Sequence, residues 1–188
     1  MAVTTTNLIQ GPAVLYADDF GATEPADTAV ASAPGGTFVD MGGTNDGVTL
    51  RVTTEWAELE VDQIAETPER RRTKVESVIA TNLAEPTLEN LSRALSLDPA
   101  DIATGVGFEA IDVPGGSAAL ESPPYTAIIL DGRAPGVGKR RRVIARKTLN
   151  TADVESAYAK GDQTLIPVEF TAHYVSASIT SVHVVDAV

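Results

Sequence analysis

Polar and apolar residues alternate from Val48 to Trp56, with Thr54 the one polar residue at an apolar position. Val48, Leu50, Val52 and Trp56 are apolar, while Thr49, Arg51, Thr53 and Glu55 between them are polar. A period of two is that of a half-buried strand. The phase then inverts, so that Leu59 and Val61 are apolar and Glu58, Glu60 and Asp62 take the other face. A one-residue inversion predicts a bent strand or tight hairpin around Ala57, with one face on a core and a Thr- and acid-bearing face opposite. A basic strand follows, and then the period changes to that of a helix. Asn82 with Glu85 reads as a capping box, and Pro86 sits in the first turn, where amides have no intrahelical acceptor. Leu88, Leu91 and Leu95 form one apolar stripe, and Asp98-Pro99 ends the helix because a residue before proline avoids the α region.

Around this segment, Gly47 to Leu95, the remaining elements are shorter. Leu8 to Tyr16 predicts a first strand, confined by Pro12 to an edge or bulge. Residues 20–46 are rich in Ala, Pro, Gly and Thr, are aperiodic, and read as a long loop of the kind that is either functional or ordered by a partner. A second loop region covers 98–124, punctuated by Gly105, Gly107, Pro114, Gly115, Gly116, Pro123 and Pro124. Tyr125 to Leu130 is a nearly continuous apolar run, as expected of a strand buried on both faces. Lys139 to Leu149 is a basic strand. Thr164 to Tyr174 is a further strand with Ile166, Val168, Phe170 and Tyr174 on one face, and Ile179 to Val185 supplies a final edge strand. The expected architecture is α+β and mainly β: one domain over residues 1–188, a β-sandwich or split barrel of antiparallel strands flanked by one α-helix.

Charge sharpens this picture. The chain of 188 residues carries a formal charge of −12. Residues 1–66 hold eleven acids against the single base Arg51, whereas residues 67–188 are nearly balanced, with their bases clustered. Such a balance lacks the basic footprint that tight nucleic-acid binding needs. No apolar run approaches the roughly 20 residues of a membrane span, and the N-terminal MAVTTTNLIQ has no signal-peptide pattern. With zero cysteines, a disulfide framework and a thiolate metal site are excluded, which fits assembly in a reducing cytoplasm.

Catalytic and cofactor chemistry finds little support. Gly132 to Arg140 imitates a phosphate loop, but its spacing is one residue too long and Arg140 stands where Ser or Thr would hold Mg²⁺. A Gly/Pro hairpin loop is the better reading. His173 and His183 fall in predicted strands without patterned acids or thiols, so edge-strand histidines are preferred to a zinc site. Asp18-Asp19 and the Glu58/Glu60/Asp62 row could pair for acid–base work, yet equivalent solvated acids lack the split environments that catalysis requires. The sequon at Asn90 lies within the predicted helix and is discarded. The expectation is a protein that is not an enzyme, with no cofactor and no metal. The two basic clusters, Arg70-Arg71-Arg72 and Lys139 to Arg142, are read as partners for acids on the same chain or on neighbouring copies rather than for phosphate.

The order of alternating strand, acidic strand, basic strand and short helix, with Asp62-Gln63 followed by LAEPTLENL from Leu83 to Leu91, resembles the tail tube protein (major tail protein) of long-tailed bacteriophages. The stretch YADDFGATEPADT from Tyr16 to Thr28 is similar to that family's N-terminal region. The resemblance implies a structural subunit that polymerises as stacked six-membered rings around a DNA conduit, each copy giving strands to a shared inner barrel. It implies long loops laid on neighbouring copies, tape-measure and tail-terminator proteins as partners, and passage of double-stranded DNA without specific binding. No membrane is involved, and the place expected is the virion tail, assembled in the host cytoplasm. Within that frame the lumen-facing set is Thr49, Thr53, Glu58, Glu60 and Asp62, and the subunit-interface set is Arg70, Arg71, Arg72, Arg140, Arg141 and Arg142. The alternatives are a soluble β-sandwich binding or decoration module, and a tube subunit like the haemolysin-coregulated protein of type VI secretion.

Overall fold

In the computed structural model, which describes residues 3–114 and 123–188, Asp62 and Gln63 make the turn of one very long hairpin. The elements in chain order are β1 (Val14–Asp19), β2 (Val39–Asp40), β3 (Thr44–Val61), β4 (Ile64–Leu83), α1 (Leu88–Ala94), β5 (Ala103–Gly105), β6 (Phe108–Ala110), β7 (Thr126–Arg133), β8 (Arg140–Asn150), β9 (Ile166–Ala172) and β10 (Val182–Asp186). Strand makes up 47% of the structure and there is one α-helix among the described residues, so the fold is mainly β, as the alternation predicts. Gly115 and Gly116, read above as loop punctuation, lie outside the described residues.

Eight strands form one antiparallel sheet in the order β2-β1-β7-β8-β9-β4-β3, with β10 also paired to β8. β8 is the strand that divides it. One edge of β8 runs along β7, while its other edge pairs with β10 from Arg141 to Ala145 and with β9 from Thr148 to Asn150. The two halves therefore diverge and fold over one another in a sandwich-like arrangement. The main core lies between them: Leu15, Ile128, Leu130 and Val143 meet Ile79, Leu83, Ile166, Val168 and Phe170. Each large aliphatic or aromatic side chain taken out of water here contributes on the order of 1.5–3 kcal/mol.

β7 is buried on both faces, as its unbroken apolar run predicts. Its second face is covered by a smaller cluster in which Phe38 packs with Ala127, Ile129 and Ile144. The cover is the segment between β1 and β2. Expected to await a partner, this loop instead inserts Val30 and Phe38 into its own chain. Arg142 donates to the carbonyl of Ser32 at 2.6 Å, Arg146 pairs with Glu24, and His183 sits 3.0 Å from Asp27. A loop too polar to build a core can still close one when the sheet beneath it supplies the apolar surface.

Several boundaries differ from the pattern-based expectation. Leu8 and Ile9 are exposed, and the first strand begins only at Val14. The inversion near Ala57 is no turn: Glu55 faces Lys74 and Trp56 faces Arg72, so Thr73 is an extra residue, a bulge in the partner strand. The helix is capped by Thr87, whose hydroxyl accepts from the Asn90 amide, while Asn82 belongs to β4. Glu85 accepts from the Gly43 amide at 2.8 Å instead of closing a capping box. Gly42, at φ 80, allows this approach, since a Cβ there would lie 2.4 Å from the Glu85 carboxyl carbon. Asp98 caps a separate short 3-10 turn, Pro99–Asp101. The expected second loop contains a small hairpin, β5 with β6.

Candidate assembly interface

β3 and β4 part company with the rest of the molecule midway. β9 pairs β4 only from Val78 to Leu83, and Val78 is opposite Arg51. From there to the turn, β3 and β4 continue as a two-stranded ribbon with no third strand on either edge among the described residues. Ten residues of β3, Val52 to Val61, extend about 30 Å at the usual rise of a strand. Pro68, which has no amide to give, is tolerated here because the β4 edge is unpaired and the register is already irregular beyond Leu59.

The ribbon carries apolar side chains into solvent. Val52 is 56% exposed, Trp56 54%, Leu59 47% and Ile64 52%, with Val61 and Val75 similarly open. The expectation that this apolar face packs on a core holds only at its root, where Val48 and Ile79 join the main cluster. Farther out none of the described residues covers it. The polar positions make cross-strand pairs, Glu58 with Arg70 at 2.6 Å, Glu55 with Lys74 at 3.8 Å and Arg72 over the Trp56 ring at 5.2 Å, and along β4 itself Lys74 meets Glu76 at 2.8 Å. The Lys74 ammonium holds the Glu76 carboxyl below its ordinary range through that hydrogen bond. Such solvated pairs are worth about 0–1 kcal/mol each. An isolated two-stranded ribbon is at best marginally stable in water. It also presents two rows of unpaired backbone groups, which are templates for another strand.

Strand alternation separates the five residues expected to face a lumen together. Because the bulge lies in β4, β3 keeps its alternation, placing Thr49 and Thr53 on one face and Glu58 and Glu60 on the other. Asp62 sits in the turn. The two Arg clusters also part. Arg70, Arg71 and Arg72 are exposed on the ribbon, Arg70 against Glu58 and Arg72 over Trp56. Arg140, Arg141 and Arg142, read above as interface residues, find acidic partners within the chain. Arg140 and Arg142 share the buried carboxylate of Asp131, at 3.0 and 3.2 Å, and Arg141 makes two hydrogen bonds to Asp186. This last contact keeps the Asp186 carboxyl below its ordinary range. Asp131 was the missed residue, and a lone acid at the end of a doubly buried strand is itself a sign of a buried partner.

The β7–β8 connection is a hairpin loop, with the Ala134 amide donating to the Lys139 carbonyl at 3.0 Å, so its glycines serve turn geometry. Gly136 and Gly138 have φ of 109 and 74. His183 engages Asp27, and His173 stacks edge-on against Tyr125 at 5.5 Å, beside Lys147, whose ammonium lies 4.1 Å from the Tyr125 ring centroid. Among the described residues no three His, Asp or Glu side chains converge as metal ligands would. No helix among them is long and apolar enough to cross a membrane. No protein-family model matches the chain, and no curated protein matches it.

Proposed function

We propose that the chain is a structural subunit of a tail tube, assembling through its β3–β4 ribbon into rings that enclose a passage for double-stranded DNA. The observation that carries this reading is the ribbon itself: about 30 Å of two-stranded sheet with apolar side chains on its surface and both edges unpaired. Neighbouring copies placing such ribbons side by side would satisfy the free edges and cover Val52, Trp56 and Val75. A barrel needs roughly 16 or more strands before its interior holds water. One copy offers two, so the conduit is a property of the assembly. Acidic residues on the ribbon would keep DNA from adhering to the wall, within about 8 Å at physiological salt.

Negative-stain electron microscopy of the purified chain tests this. Annular particles or tubes with an open axis are expected. Discrete monomers at every concentration would overturn the reading and favour a decoration module.

A further inference from the structure

Resting on that assembly reading, and specifying one of its contacts, we infer that the pocket at the β7–β8 end of the molecule receives the acidic tip of the β3–β4 ribbon from a second copy. The pocket, about 370 Å³, is walled by Pro12 and Val14 on an apolar side and by Arg133, Lys139 and Arg140 on a cationic one, with the Asp131 carboxylate between them already paired to Arg140. Its cations are in surplus. Arg140 and Arg142 share the single carboxylate of Asp131, and among the described residues Arg133 and Lys139 have no ion pair. Arg142 is fully buried, and its Nε and Nη1 find no hydrogen-bond acceptor. Arg142 lies behind the pocket lining, against Asp131, and a buried guanidinium left partly unpaired there adds positive potential that an anion entering the pocket would offset.

The two free cations are also held in place. The Arg133 side chain lies against Gly11, where a Cβ would come 2.9 Å from its Nε, and Lys139 folds over Gly136, where a Cβ would meet its Cδ at 2.8 Å. Side chains laid on bare backbone lose less freedom when a partner binds.

The ribbon tip is the complementary shape and charge. Glu60, Asp62 and Glu66 crowd around the turn without ion pairs among the described residues, beside the exposed Leu59, Val61 and Ile64. It projects far from its own core, so it can enter a neighbour. Acid meets Arg133 and Lys139, and the apolar residues meet Pro12 and Val14. The contact joins two different surfaces, so it propagates head to tail instead of closing a pair. That is the geometry that stacks one ring on the next.

A charge-swap experiment in the full chain decides it. One variant carries Arg133→Glu with Lys139→Glu, the other Glu60→Lys with Asp62→Lys, and circular dichroism confirms that each folds. Sedimentation at low salt should show association weakened about tenfold or more in each alone and restored when the two are mixed. Microscopy should show single rings from each and stacked tubes from the mixture. Stacking by either variant alone, or no rescue on mixing, would overturn the inference while leaving the ring reading intact. Mutual rescue into chains without any ring would uphold this contact and overturn the ring. Loss of association caused equally by added inorganic phosphate and by added chloride of the same ionic strength fits a diffuse ion pair with the tip. Selective loss with phosphate, without rescue on mixing, would make the pocket a phosphate site and overturn the inference.

Discussion

β4 is two strands in one. From Ser77 to Leu83 it is a core strand, pressed between β3 and β9 with Val78, Ile79 and Leu83 buried. From Ile64 to Val75 it is open on both faces and along one edge. Its partner β3 shows the same apolar alternation at Val48 and Leu50 as at Val52 and Trp56, yet only Val48 reaches the core. Periodicity thus reports which side chains share a face, and says nothing of what lies against that face. In the inner half the cover is β9 and the sheet opposite. In the outer half, among the described residues, no such cover is present, and on the proposed reading it comes from another copy.

The sharpest way to break this comparison is to truncate one large side chain in each half. Phe170, which packs opposite the inner half, should cost about 3–5 kcal/mol as Phe170→Ala, read from the urea midpoint of the monomer. Trp56→Ala should move that midpoint by no more than about 0.5 kcal/mol and still abolish assembly. Equal destabilisation of the monomer by both would mean the ribbon is covered by its own chain.

The buried and exposed ion pairs offer a second contrast. Asp131→Ala strands two guanidiniums and should cost about 3–5 kcal/mol, whereas Glu58→Ala removes a solvated partner of Arg70 and should cost about 0–1 kcal/mol. Comparable losses in denaturant titrations would contradict the assignment of Asp131 as the anchor of Arg140 and Arg142.

These contrasts mark what was legible in the sequence. The apolar run of β7 and the paired face of Ile166, Val168 and Phe170 in β9 could be read because each is a local period matched to a local burial. The helix was legible as a helix but not in its packing: Asn90, Ser92, Arg93 and Ala94 are buried and the Leu88, Leu91 and Leu95 stripe only half so. The turn at Asp62-Gln63 was missed because the phase inversion at Ala57 imitates one, and a bulge residue in the opposite strand leaves no mark on β3. The fate of Arg140 to Arg142 was hidden for another reason. Their partners, Asp131 and Asp186, stand 9 to 45 residues away, and only the sheet register brings them together. For the candidate interface, the acids and arginines were visible, but their faces were not.

Smaller effects sharpen the helix and the far edge of the sheet. Thr87→Ala should cost about 1 kcal/mol by removing the cap, and Asn82→Ala should leave helix content unchanged. Circular dichroism of the two variants distinguishes this cap from the alternative box. Asp186 has a folded carboxyl depressed below its ordinary value of 3.8 by Arg141. Its contribution is therefore present above that value and disappears as pH falls through the folded one. Asp186→Asn should cost at most about 1 kcal/mol near neutrality and nothing in acid below both values, so the two stability curves converge as pH drops.

The central claim is that the outer ribbon is ordered by neighbouring copies, and hydrogen exchange measures this directly. Amides from Val52 to Val75 should exchange rapidly in the dilute monomer and become protected in the assembled particle, while those of Ser77 to Leu83 are slow in both. Equal protection of the outer segment in the two states would contradict the account.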